Sequence, residues 1–221
     1  IGKLGLCFAL LLERAGYEVL GIDISAEYVD SLNRKTFRSP EPGVVEALRS
    51  SLHFRATHRL DALREFPTGL IFVAVATPTD PVGGYDHRAV DGLFEALYAL
   101  RLPLQRRDIA LISTTLPGYC DSLAEKAIEH HYYLSYNPEF IAQGSILSDL
   151  QHPDQMLIGA ADDIAADKLI SVYARIHRSK PAVFRMSLLS AEIAKLATNC
   201  FLTMKISFAN AIGDLCAQVG A

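Results

Sequence analysis

Paired cysteines are the first thing this sequence lacks. Its four, Cys7, Cys120, Cys200 and Cys216, are scattered without a C-x-x-C pair. That argues against a zinc site or a disulfide framework, leaves no metal to propose, and fits a reducing cytoplasm. A surplus of one charge is lacking too. Lys and Arg number 21 against 25 Asp and Glu, well mixed, for a net charge of −4. Neither a nucleic-acid patch nor a polybasic membrane segment is indicated. The pairs Arg106-Arg107 and His130-His131 read as solvated surface. No apolar run reaches transmembrane length, and the opening residues lack the basic segment of a signal peptide. Internal repeats and low-complexity tracts are absent. What remains is a chain of 221 residues, 50% hydrophobic, sized for one large domain or one and a half.

The first two dozen residues organise the rest. Ile1-Gly2-Lys3-Leu4-Gly5-Leu6 opens an apolar run to Gly16, and Tyr17–Asp23 follows as a strand ending in an acid. This is most of a dinucleotide-binding βαβ unit, whose fingerprint is G-x-G-x-x-G with an acid about 20 residues on. Gly2 and Gly5 stand as its second and third glycines. Gly2 would let the backbone approach a pyrophosphate, and Gly5 would let the helix pack close to the sheet. The helix N-terminus offers free N–H groups to phosphate. Asp23 can accept from both ribose hydroxyls and would repel a 2′-phosphate, so NAD is the expected cofactor. The alternative is a helix-entry turn followed by a surface Asp. The fingerprint's first glycine and its strand are expected in about six to ten residues before Ile1, in the middle of the sheet.

Strand and helix alternate from there. Ser25 caps a helix over Ala26–Asn33, and a rigid Ser39–Gly43 loop leads into another helix, to about Ser50. Strands are expected at His53–Thr57, Leu70–Ala76, Asp108–Ser113, Tyr132–Tyr136, Gln155–Gly159 and Pro181–Met186, with helices at His87–Leu100, Pro117–His130 and Asp163–Ile176. From Ser187 a long helix runs to Val219. This order gives an α/β fold, a Rossmann-like doubly wound and mostly parallel sheet with helices on both faces, followed by a long central helix. Residues 1–186 form the dinucleotide-binding domain and 187–221 the start of the central helix. Ligands in such sheets sit at the strands' carboxyl ends. Three polar loops fall there: Thr77–Asp80, Thr114–Gly118 and Asn137–Gly144.

Two groups of residues carry chemistry. In Asn137-Pro138-Glu139-Phe140 the proline stiffens a turn that holds Glu139 at the sheet edge, where a fixed carboxylate can act as a general base or position a water. The competing reading is a Glu at N3 of a helix, serving a capping box. Lys195 and Asn199 stand at i and i+4 on a mostly apolar helix, suited to hold an oxyanion or a water. The competing reading pairs Lys195 with Glu192 at the surface.

These pieces resemble the UDP-glucose/GDP-mannose dehydrogenase family in order and over nearly the whole chain. The matching segments are Gly-Lys-Leu-Gly (2–5), Ile-Asp (22–23), Glu-Pro-Gly (41–43), Ala-Thr-Pro-Thr (76–79), Thr-Leu-Pro-Gly (115–118), Tyr-Asn-Pro-Glu-Phe (136–140), His-Pro-Asp (152–154) and Lys-Leu-Ala-Thr-Asn-Cys-Phe (195–201). The resemblance implies an NAD-dependent enzyme that oxidises a nucleotide sugar at C6 twice, through a thioester on a cysteine. Glu139 would serve thioester hydrolysis. Lys195 and Asn199, with Phe140 beside them, would hold the sugar's C6 oxygen and a water. Thr115 would hold that water and the nicotinamide end of NAD. Gly2, Lys3, Leu4, Gly5, Asp23, Tyr28, Thr77 and Gln143 would line the cofactor.

The family often carries Glu at Gln143 and a basic residue at Tyr28. Its nucleophilic cysteine sits in a Gly-Gly-Ser-Cys-type loop that has no counterpart here, so Cys200 and Cys216 read as core, and the fragment is expected to be inactive alone. The Asn-Pro-Glu-Phe form points to UDP-glucose, with GDP-mannose as the alternative. A non-catalytic NAD-sensing module is a second reading, and a small hydroxy-acid dehydrogenase a third. The expected protein is a cytoplasmic homodimer, joined through the central helix, that makes a uronate for surface polysaccharide.

Overall fold

The computed structural model describes residues 1–66, 68–81, 83–103 and 105–221. Val82, within the Thr77–Tyr85 loop, lies outside them. The chain opens with α1 (Lys3–Arg14), β1 (Val19–Ile22), α2 (Ala26–Asn33), α3 (Val44–Ser50) and β2 (Phe54–Thr57). A 3-10 turn (Leu60–Arg64) leads to β3 (Leu70–Val73), α4 (Arg88–Ala99), β4 (Arg107–Leu111), α5 (Tyr119–Ile128) and β5 (Tyr132–Tyr136). The rest is α6 (Ile146–Gln151), β6 (Gln155–Ala160), α7 (Asp163–Ile176), β7 (Ala182–Met186) and α8 (Leu188–Val219).

Local chemistry sets many of the ends. The Ser25 hydroxyl accepts from the Tyr28 N–H to start α2, and Asp162 accepts from Ile164 and Ala165 to start α7. Gly16 takes the left-handed conformation (φ +89°) just past α1, open to glycine without strain.

The sheet is the doubly wound one expected, in two parts. β1 pairs with β2 in parallel, and β3-β4-β5-β6-β7 form a second sheet, parallel except between β5 and β6. Among the described residues β1 pairs with β2 alone, and no strand pairs with its other flank. Ile1 lies along that flank, its amine donating to the Ile22 carbonyl at 2.7 Å. α1 bridges both parts and is buried from Leu6 to Leu12, between the sheets and helices α3, α6 and α7. Each fully buried leucine there contributes about 1.5–3 kcal/mol.

Four expectations need correction. β3 ends at Val73, not Ala76. The Ser113 hydroxyl takes over the ladder there, accepting from Val75 N–H at 3.1 Å and donating to its carbonyl at 2.6 Å. Arg106-Arg107 is not solvated surface. Arg107 is buried, and Arg106 joins Lys168 around Asp108, a carboxylate only 1% exposed. A lone buried carboxylate is costly, so the two cations compensate it. Cys200 is exposed and Cys216 half-buried, so neither is core. Finally, α8 is 32 residues long with a window of mean hydropathy 1.2, enough by length and composition alone to cross a membrane. Only its first two turns pack on the domain, through Leu188, Ala191, Glu192 and Lys195. Beyond them Phe201, Met204, Phe208 and Leu215 are exposed.

Candidate active site

Gly2 is the N-cap of α1, with no side chain to satisfy the first-turn N–H groups. A Cβ added to Gly2 would meet nothing within 4 Å. The space over this helix end is open, as an anion approaching the backbone requires. Gly5 is less constrained than expected. Its added Cβ would sit 3.7 Å from Ala74 and Ile1, an ordinary contact, so close helix packing does not demand glycine there. Leu4 is half-buried against the core. Lys3 reaches out of the turn, and its Nζ donates to Gln143 Oε1 at 3.3 Å. Two residues expected at the cofactor thus meet across 140 positions. Asp23 follows the end of β1, half-buried, with Oδ1 accepting from the Ser25 N–H at 3.0 Å. Tyr28 packs its ring edge-on against Phe37, and burial pushes its hydroxyl up to about 12.

The loops after β3 and β4 are tied together. Thr77 donates its hydroxyl to the Thr114 carbonyl at 2.8 Å. Thr115 has a partner that the sequence reading did not name. It is fully buried, and its hydroxyl donates to Glu192 Oε1 at 2.8 Å. Its hydroxyl is thus engaged by α8 and ties the loop after β4 to that helix. Glu192 is itself 0% exposed and also accepts from Gly118 N–H at 2.7 Å and Cys120 N–H at 2.9 Å. A carboxylate from α8 thus caps α5, in line with the helix dipole. Lys195 does not pair with it.

Lys195 turns instead to the loop after β5. It is 7% exposed, donates to the Glu139 carbonyl at 2.7 Å, and lies 4.2 Å from the centre of the Phe140 ring. Burial lowers its pKa, and the Glu139 charge opposes that. Glu139 stands outside any helix, so the capping-box reading falls. Its Oε1 accepts from the Tyr173 hydroxyl at 2.5 Å. Burial raises its carboxyl to about 7, against the pull of the Tyr173 hydrogen bond and the Lys195 charge. A carboxyl in that range suits proton transfer near neutrality. Asn199 lies half-buried one turn beyond Lys195, and no hydrogen bond engages its side chain among the described residues. Glu139, Phe140 and Lys195 are therefore in contact, with Asn199 one turn further along α8, while Gly2, Gly5 and Asp23 lie around the end of α1.

The model of the UDP-glucose/GDP-mannose dehydrogenase family's NAD-binding domain matches residues 1–177, and that of its central domain matches 189–221. The chain belongs to the UDP-glucose/GDP-mannose dehydrogenase family. It is 30% identical to UDP-glucose 6-dehydrogenase YwqF of Bacillus subtilis, covering all of this chain and 50% of that protein. It is 26% identical to GDP-mannose 6-dehydrogenase of Pseudomonas aeruginosa, covering all of this chain and 52% of that one. Among solved structures, a ternary complex of GDP-mannose dehydrogenase from Pseudomonas aeruginosa superposes with a TM-score of 0.91 at 25% identity, over 100% of this chain and 52% of the other. A UDP-glucose dehydrogenase from Pyrobaculum islandicum gives 0.87 at 31% identity, over 96% and 50%. The chain spans about half the length of the curated relatives it matches.

The family's cofactor is NAD, and the residues fit it: an open glycine N-cap for a pyrophosphate, and an acid at the end of the next strand for a ribose. Around this site the sequence reading missed three side chains. Glu192 was weighed only as a surface partner for Lys195. Tyr173 fell in a helix with no motif. Glu41, 4% exposed, accepts the Gly144 N–H at 2.9 and 3.0 Å and so ties the Glu-Pro-Gly loop to the loop after β5. Its partner is 103 positions away, and only the Glu-Pro-Gly motif marked it.

Proposed function

We propose that the protein containing this chain oxidises a nucleotide sugar at C6 in two steps with NAD, converting UDP-glucose to UDP-glucuronate for surface polysaccharide. The observation that carries this reading is the pairing of a buried Lys195 with the backbone of Glu139, whose own carboxyl is poised near neutrality. The open N-terminus of α1 at Gly2 and the Asp23 carboxylate would hold NAD, which would supply the hydride acceptor. Lys195 supplies positive charge in a dry setting, where it polarises the C6 oxygen more strongly than in water. Asn199, one turn on, offers an amide to the same oxygen or to a water. Glu139 takes a proton from the water that releases the acid product, and Phe140 shields Lys195 from solvent. The exposed apolar length of α8 serves as the contact between two copies.

The test uses the full-length protein with NAD and either UDP-glucose or GDP-mannose, following NADH. Two NADH per UDP-glucose, little turnover of GDP-mannose, and at least a hundredfold loss in Lys195→Ala support the reading. Preference for GDP-mannose overturns the substrate, and NAD binding with no turnover of either overturns the activity. Sedimentation of the same protein decides whether two copies associate.

A further inference from the structure

Tyr173 lies on α7, away from every segment that the motifs mark, and is 1% exposed. Its ring is packed by Phe8 of α1 at 5.4 Å, Phe72 of β3 at 6.4 Å and His177 of its own helix at 5.1 Å, centroid to centroid. Such a socket fills equally well with phenylalanine. The hydroxyl is what phenylalanine lacks, and its partner is Glu139 Oε1 at 2.5 Å. Glu139 is held at both ends. Lys195 binds its backbone carbonyl, and Tyr173 binds one carboxylate oxygen. No hydrogen bond engages Oε2 among the described residues.

We propose that Tyr173 is a positioning residue for Glu139, fixing the carboxylate through Oε1 and leaving Oε2 for the proton being moved. The inference rests on the reading of Glu139 as the acid/base of the site. A phenol that donates to a carboxylate favours its ionised form. The titratable groups acting on the carboxylate are Tyr173 on α7 and Lys195 on α8, and His177 packs on the Tyr173 ring. Burial pushes Glu139 up, and the hydroxyl and the ammonium restrain it. Removing the hydroxyl therefore takes away one of two restraints and moves Glu139 further up.

The experiment compares full-length wild type, Tyr173→Phe and Glu139→Gln with NAD and UDP-glucose across pH. In Tyr173→Phe the acid limb of kcat should move up by about one pH unit, a rate about tenfold lower below the limb. The rate should recover at high pH, with NAD affinity and sugar KM held within about twofold. Fluorotyrosine at position 173, a stronger donor of the same shape, should move the limb down. An unmoved limb in an active, folded Tyr173→Phe overturns the proposal. Wild-type turnover by Glu139→Gln overturns the acid/base reading instead. In that case infrared titration of the carboxyl band, identified by its loss in Glu139→Gln, still decides on Tyr173. A midpoint that rises in Tyr173→Phe supports positioning, and an unshifted one refutes it.

Discussion

Glu139→Gln should stabilise the protein in alkali and change little in acid. In the fold the Glu139 carboxyl is raised by burial to about 7, from an ordinary value of 4.5. Between those values the unfolded chain has released its proton while the folded chain keeps it. The folded state then binds more protons than the unfolded one, so stability falls as pH rises through this window and levels off above about 7. A separation of about 2.5 pH units at 1.36 kcal/mol each amounts to about 3 kcal/mol lost between about pH 4 and pH 8. Glutamine carries no such proton, and its carbonyl can still accept from Tyr173. Urea unfolding of the two proteins at several pH values gives the assay. The difference in stability should widen by about 3 kcal/mol toward pH 8 in favour of the variant. Parallel curves would show that Glu139 ionises as freely in the fold as outside it and would remove the physical basis for its role as a base.

Asp23→Ala should weaken NAD binding by roughly 1–3 kcal/mol through lost hydrogen bonds to a charged acceptor, and calorimetry showing unchanged affinity would count against the ribose contact. Glu192→Gln places an amide NH₂ against a donor, either the Gly118 N–H or the Thr115–Cys120 pair, and should cost about 2–3 kcal/mol in urea unfolding. An unaltered midpoint would mean that the three bonds are dispensable. Gly5→Ala should retain NAD affinity because its neighbours stand at 3.7 Å, whereas Gly2→Val should abolish it by filling the open N-cap. Equal affinities in the two variants would dismiss the assignment of the pyrophosphate to that cap.

Helix and strand order was legible because its signals are local. Ser25, Gly16 and the residues around Asp162 mark their helix ends within a turn, and α7 runs over Asp163–Ile176 as its periodicity predicts. β3 was overextended for an opposite reason. Leu70–Ala76 is apolar throughout, but whether a strand continues depends on its neighbour, and at Ser113 a side chain replaces the backbone ladder. α6 went unseen because six residues hold too little pattern. At the candidate site, motifs marked Glu139, Lys195 and Asn199, and the first two are in contact. What holds them was not legible, since Tyr173 lies 34 positions from Glu139 and Glu41 lies 103 from Gly144.

The surface pairing weighed for Glu192 and Lys195 failed for a reason that the sequence did contain. Leu188, Ala191, Glu192 and Lys195 fall at i, i+3, i+4 and i+7, the spacing of a single buried helix face. Reading Glu192 and Lys195 as a surface pair took their i, i+3 relation and ignored the stripe to which both belong. A charged residue on a buried stripe must find compensation inside. Glu192 finds it in the N-terminus of α5 and the Thr115 hydroxyl, and Lys195 in the Glu139 carbonyl and the Phe140 ring. Opposite charges one turn apart on such a face thus go to different loops. One turn of α8 thereby fixes the loop after β4 and the loop after β5 together, and a displacement of α8 would move both. The long helix that leaves the domain exposed at Phe201 is for this reason mechanically continuous with Lys195 and the Glu139 loop it holds.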